Sequence, residues 1–315
     1  MSMHHQKGGL LLVILASAAL GIGVIVGSVM LLQQSPELDG SGKEVSVEYG
    51  RQLIRETSLH MGPQHEDPAM RFAGNNLDCS SCHLDTGTKP GMLSLLPASS
   101  RYPRFSGRDG VDGDLRDRIN GCMERSMSGR MLDRESAEMR SMEAYINSLG
   151  NQYAAMGETR RLSEEPAAFK EPNRAASPEA GQRVYEQRCQ VCHGDNGQGL
   201  QATLDIREGY LFPPLWGPDS FNDGAGMNRV LTAAGFIKAR MPLGQPDLSD
   251  DEAFDVSAYM NSKERPHMAN LEADYPNRRD KQVDSPYPPY ADPFPIEQHR
   301  VGPFGPIREF YKTLE

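Results

Sequence analysis

Two pentapeptides of one plan, Cys79-Ser80-Ser81-Cys82-His83 and Cys189-Gln190-Val191-Cys192-His193, constrain this chain more than any other feature. Two thiols at that spacing meet the two vinyl groups of a haem, and the histidine beside the second thiol offers its imidazole to the iron. A CxxC pair alone also suits zinc, a redox dithiol or a disulfide. The histidine at the same place in both copies favours covalent haem c, two groups in all, with His83 and His193 as axial ligands. Buried porphyrins would also supply apolar surface that the chain lacks. Only 38% of its 315 residues are hydrophobic, with one Trp, 31 Gly and 23 Pro. The net charge of −10 argues against nucleic acid, whose binders carry basic patches, and suits a basic redox partner.

Residues 10–32 form an uncharged apolar run long enough to cross a bilayer, which takes about 20 residues. Ala16-Ser17-Ala18 resembles a signal cleavage site but lies mid-run, and the end, Met30-Leu31-Leu32-Gln33-Gln34, is a poor one. The expected reading is an uncleaved anchor in the inner membrane. Residues 1–9 are then cytoplasmic, and everything after residue 33 lies on the periplasmic side, where haem c is attached. Cleavage would leave the same compartment.

The rest repeats a diverged unit. Each haem motif follows a short helical stretch, Val45 to Ile54 or Ser177 to Gln187. In the second, Ser177 is a good N-cap with Pro178 at the first helical position. Each unit closes on a helix, Glu138 to Leu149 with Ala144-Tyr145-Ile146-Asn147-Ser148, and Glu252 to Ser262 with Ala258-Tyr259-Met260-Asn261-Ser262. Ser249 and Glu252 form a capping box. No strand-like alternation of any length appears. The expected fold is mainly α: two tandem cytochrome c domains, 33–150 and 177–264, behind a transmembrane helix. A polar linker, 151–176, joins them, and an irregular Pro- and aromatic-rich segment, 265–315, lies across the domains.

The sixth ligands are harder. Met241-Pro242 sits ahead of the second closing helix, 17 residues before Ala258, so Met241 is the expected partner of His193, with Met227 and Met260 as rivals. In the first unit the same spacing selects Met127, also 17 residues before Ala144. Cys122 lies 22 residues before Ala144, yet an unpaired thiol in an oxidising compartment is a liability unless used, and a thiolate ligates haem well. Spacing and chemistry leave Met127 and Cys122 even.

The stretch Arg116-Asp117-Arg118-Ile119-Asn120-Gly121-Cys122-Met123-Glu124-Arg125-Ser126, with Cys82-His83-Leu84-Asp85-Thr86-Gly87, closely resembles the dihaem thiosulfate dehydrogenase family, related to SoxA-type cytochromes. So do Phe212-Pro213-Pro214-Leu215-Trp216-Gly217-Pro218-Asp219-Ser220-Phe221-Asn222 and the tail Asp284-Ser285-Pro286-Tyr287. The resemblance runs from residue 45 to about 306. It implies a catalytic first haem ligated by His83 and Cys122, an electron-transfer second haem, and joining of two thiosulfates into tetrathionate, reversibly in some members. Electrons would leave to an external acceptor, a soluble or membrane-bound cytochrome c or similar. It implies that Arg108, Arg118 and Ser126 hold the anionic substrate. Some members carry a Lys beside the second-haem methionine that can act as its ligand. Here Arg240 precedes Met241, and a guanidinium is a poor ligand; Lys238 is two residues away, and His193/Met241 ligation is expected to be constant.

On a helix over 114–127, Arg118, Cys122 and Ser126 would share one face at four-residue spacing. The bland reading of the local arginines is surface pairing with Asp112, Asp114, Asp117 and Glu124. Rival functions are a membrane-anchored dihaem electron carrier without a substrate, which would use Met127, and a SoxA-like sulfur-compound haem protein.

Overall fold

A computed structural model describes residues 37–157, 166 and 168–314. The expected anchor at 10–32 and the amino terminus lie outside the described residues, as do 158–165 and 167 of the expected linker. Among the described residues, no helix is long and apolar enough to cross a membrane.

Each unit is built on a crossing of its first and last helices. In the first, α1 (Val47–Arg55) is capped by Ser46, whose hydroxyl accepts from the Tyr49 amide. A short α2 (Thr57–Met61) follows. After the haem motif come α3 (Leu115–Arg125) and α4 (Ala137–Ala155). In the second, α5 (Pro178–Arg188) leads into α6 (Gln190–His193), which carries the motif, and α7 (Val230–Arg240) and α8 (Asp250–Asn261) complete it. Ser177 caps α5 with Pro at its start, and Ser249 and Glu252 form the capping box of α8.

The two crossings are the same joint. A methyl group on Gly50 of α1 would lie 1.9 Å from the Ser141 carbonyl of α4, and one on Gly181 of α5 would lie 2.0 Å from the Asp255 carbonyl of α8. Ser141 and Asp255 each stand three residues before the alanine of the repeated Ala-Tyr pair. Only glycine lets the backbones approach that far. Helix α4 extends to Ala155, past the expected end at Leu149, and its last residues help to wall the first cavity described below.

Strand structure is confined, among the described residues, to three antiparallel ribbons of two or three residues. These are β1 (Glu37–Leu38) with β2 (Glu44–Val45), β3 (Arg104–Ser106) with β4 (Val111–Gly113), and β5 (Leu200–Gln201) with β6 (Tyr210–Phe212). They are too short to show alternation in a sequence.

The units interlock. Phe221 and Ala225, from the loop between the second haem motif and α7, are buried in the first unit's core. Asn75 donates through Nδ2 to the Ser220 carbonyl at 3.1 Å, and Asn76 donates to the Asp219 carboxylate. The C-terminal segment lies over both units. Asp274 receives the guanidiniums of Arg108 and Arg125, each at 2.8 Å. Two further helices, α9 (Ile296–Val301) and α10 (Gly305–Lys312), follow it. Phe304 and Ile307 are fully buried against Val230, Ala234, Phe254 and Ala258. A proline-rich stretch thus behaves as a packed strap, because its aromatics have apolar faces to cover.

Candidate functional site

A cavity of about 740 Å³ opens in the first unit, within the roughly 300–1,000 Å³ range of cofactor sites. Cys79, His83 and Cys122 line it, among Leu95, Leu115, Ile119, Met142 and Ile146. The 3-10 turn Cys79–Ser81, preceded by the Asp78 capping box, presents the first thiol and brings His83 round below it. His83 donates Nδ1–H to the Leu93 carbonyl at 2.6 Å. That bond fixes the tautomer, leaving the other ring nitrogen, Nε2, with its lone pair for a metal. Burial pushes the His83 pKa down, so the ring is neutral, as a ligand must be. Burial also pushes the thiols of Cys79 and Cys82 up, to about 12 and about 11. An apolar slot with a thiol, a tautomer-fixed imidazole and a second sulfur on its walls fits a covalently attached haem.

Helix α3 supplies a further part of the wall. Cys122 and Met123 both line the cavity, whereas Met127 is 2% exposed inside the first core and does not. Arg118, one turn before Cys122, lines the cavity too; its side chain is exposed to that space while protein surrounds it. The Cys122 sulfur is the strongest influence on Arg118 and holds its guanidinium above its usual pKa against burial. The structure therefore brings His83, Arg118 and Cys122 to one space.

The other two expected anion contacts stand differently. Arg108 lies near enough to Arg118 to repel it, but its Nη1 donates to Asp274 at 2.8 Å and to the Gly224 carbonyl at 3.0 Å. It does not line the cavity. Ser126 is the residue at which α3 ends, and it too is off the lining. Of the other local arginines, Arg116 pairs with Glu135 and Glu143, which are not the carboxylates that the bland reading named; Asp114 and Asp117 pair with Arg134 instead, and Arg125 is committed to Asp274, with Glu124 at 3.8 Å. Sequence reasoning passed over Arg101, Tyr102 and Arg104, which line the cavity. Arg101 and Arg104 form no ion pair among the described residues, and Arg104 lies over the Tyr102 ring at 5.2 Å. Nothing in the sequence separates them from other surface arginines.

The second unit repeats the ligand geometry. His193 donates Nδ1–H to the Pro213 carbonyl at 2.8 Å, and burial pushes its pKa down. Burial raises the Cys189 thiol to about 11. The Tyr185 hydroxyl donates to the Gly194 carbonyl at 2.6 Å, steadying the turn after His193. Tyr185, Trp216 and Tyr259 form an aromatic cluster with centroids 5.0 to 5.8 Å apart. Cys189, Met227 and Met241 are all half-buried against this core, while Met260 is 4% exposed within it. Met241 ends α7. Lys238 donates its ammonium to the Leu248 carbonyl at 2.7 Å.

Residues 71–154 match the family described as SoxA/TsdA, cytochrome c domain, and residues 176–260 match cytochrome C oxidase, cbb3-type, subunit III. These are cytochrome c domains, so the chain carries covalent c-type haem. It is similar to the thiosulfate dehydrogenase of Psychrobacter arcticus, 40% identical over 207 residues, 65% of this chain and 61% of the relative. It is also similar to that of Stutzerimonas stutzeri, 36% identical over 241 residues, 76% of this chain and 73% of the relative. Among solved structures, thiosulfate dehydrogenase (TsdBA) from Marichromatium purpuratum superposes with a TM-score of 0.61 at 31% identity. That match covers 75% of this chain and 51% of the other, so the chain spans about half of that relative's length.

Proposed function

The chain belongs to the thiosulfate dehydrogenase family, and on that premise we propose that it couples two thiosulfate ions into tetrathionate at the Cys122 side of the first cavity. The reaction joins one sulfur of each ion in an S–S bond and releases two electrons. Each thiosulfate gives up one electron, and no proton is transferred. In the reverse sense it is tetrathionate reduction.

The observation that carries this reading is the juxtaposition of Arg118, Cys122 and His83 around one cavity. Thiosulfate is a dianion, and bringing two together costs Coulomb repulsion that reaches several kcal/mol in a partly buried site. Arg118 offsets part of it with a charge that it does not lose and a fork of donors suited to sulfonate oxygens. Arg108 adds positive potential from behind, fixed by Asp274. Cys122 and His83 would together hold the iron of a haem in this cavity, and the Cys122 sulfur would meet an incoming sulfur as the S–S bond forms. When bound there, haem c supplies a one-electron acceptor, and two such groups, one per unit, suit a two-electron reaction. In the second unit His193 and Met241 would hold the relay, which passes electrons to an external cytochrome c or similar acceptor. The apolar run at 10–32 supports an anchor that keeps these domains on the periplasmic side of the inner membrane.

The test is stoichiometric. The purified protein with an artificial one-electron acceptor should consume two thiosulfates and reduce two acceptors per tetrathionate formed. Acceptor reduction with sulfite or sulfate as product would overturn the assignment.

A further inference from the structure

The guanidinium of Arg240 lies at the contact between the two units and is buried, with 6% of the residue exposed. It sits in sequence between Ala239, which lines the first cavity, and Met241, the expected second-haem ligand. Its Nη2 donates to the carbonyl of Pro90 and reaches that of Lys89 at 3.5 Å. Pro90 also lines the first cavity, and three residues on is Leu93, whose carbonyl orients His83. Among the described residues, Arg240 Nε has no hydrogen-bond partner, and no carboxylate forms an ion pair with this arginine. Asp85 attracts it from a distance but is exposed and close to Lys89, at 3.9 Å. A buried cation without an acid partner is costly, and such charges are ordinarily paired. One placed between two redox centres has a use for its unspent charge.

We propose that Arg240 is a positioning residue for electron transfer between the two haem centres, tying the segment that orients His83 to the helix end that presents Met241 and raising both reduction potentials. The clamp holds the two centres at a fixed separation. Each transfer oxidises the first centre and reduces the second by one electron, and Arg240 itself gains and loses nothing. Adding an electron to a centre makes it more negative, so a nearby cation favours the reduced form. In a low-dielectric junction that influence is several times larger than in water. The inference rests on the two-haem reading above but not on thiosulfate turnover.

The test uses the full-length protein with its haems counted by mass, titrated spectroelectrochemically without substrate. Arg240→Gln keeps an amide donor for the Pro90 carbonyl and removes the charge, and it should lower the potentials of both haems. Arg240→Leu, which removes the charge and introduces no group able to ligate, should lower both as well. Unmoved potentials in Arg240→Gln would reduce the arginine to a structural clamp and overturn the proposal. So would a shift confined to one haem. If Arg240→Gln does not load haem, Arg240→Leu carries the test, and unmoved potentials in it overturn the proposal. Potentials that shift as expected in a protein that cannot oxidise thiosulfate would sink the activity reading and leave this one standing.

Discussion

The Nδ1 of His83 lies 2.6 Å from the Leu93 carbonyl oxygen, ten residues further along the chain. The second unit makes the same bond from His193 to the Pro213 carbonyl at 2.8 Å. In both, a backbone acceptor decides which ring nitrogen is left with its lone pair to hold a metal, so the segment carrying it belongs to the site as fully as the histidine does.

Gly91 controls the path of that segment in the first unit. Its φ is +90°, and a methyl group there would meet the Pro166 ring at 2.4 Å and Arg240 Nη2 at 3.3 Å. Gly91→Ala should destabilise the loaded protein by about 1–3 kcal/mol, read as a lower urea midpoint. The absorption bands of the His83 haem should shift while those of the other haem stay.

Asp274 is 7% exposed and satisfies the buried Arg125 and half-buried Arg108 guanidiniums and the Tyr287 hydroxyl, which donates at 2.8 Å. Asp274→Ala takes the shared carboxylate from the buried Arg125 and the half-buried Arg108 and leaves Arg125 only Glu124 at 3.8 Å, a loss of about 2–4 kcal/mol. Chemical denaturation checks it. Arg108→Ala together with Asp274→Ala should cost less than the two single changes added, because they share one interaction.

Arg118 carries the anion-site assignment. Arg118→Gln should lower kcat/KM for thiosulfate by roughly 10- to 100-fold, the worth of one charged hydrogen bond. Both haems should remain attached, and reduction by dithionite should be unaffected. Steady-state kinetics indistinguishable from wild type would remove Arg118 from the site.

Asp78 gives a pH dependence. Burial pushes its carboxyl from 3.8 up to about 6, although it accepts from the Ser58 amide at 2.9 Å. Between those values the folded chain keeps a proton that the unfolded chain has released, so stability falls as pH rises through the window. Asp78→Asn keeps the acceptor and removes the charge. It should stabilise the protein above pH 6 by up to about 3 kcal/mol, and the gain should vanish near pH 4. Melting curves across pH check the sign.

What the sequence revealed was local. The CxxCH spacing, the caps Ser177 and Ser249, and the repeated Ala-Tyr helices are set by neighbours within a few residues, and α1, α3, α5 and α8 lie where such signals placed them. What it hid depends on partners far along the chain. Phe221 and Ala225 look like loop residues of the second unit until the first unit's core receives them. Arg108 and Arg118 look alike in sequence, but Asp274, more than 150 positions away, engages one and leaves the other to the cavity. Met127 has the spacing of a ligand and the burial of a core residue. Only the turn of α3 separates it from Cys122.

The most direct test is to add thiosulfate to the fully oxidised protein and follow the haem bands beside tetrathionate formation, in wild type and in Cys122→Gly. The account predicts rapid haem reduction with tetrathionate in the wild type. In the variant it predicts no thiosulfate-driven reduction, with mass showing both haems still attached and dithionite still reducing them. Thiosulfate oxidation at the wild-type rate without Cys122 would contradict it.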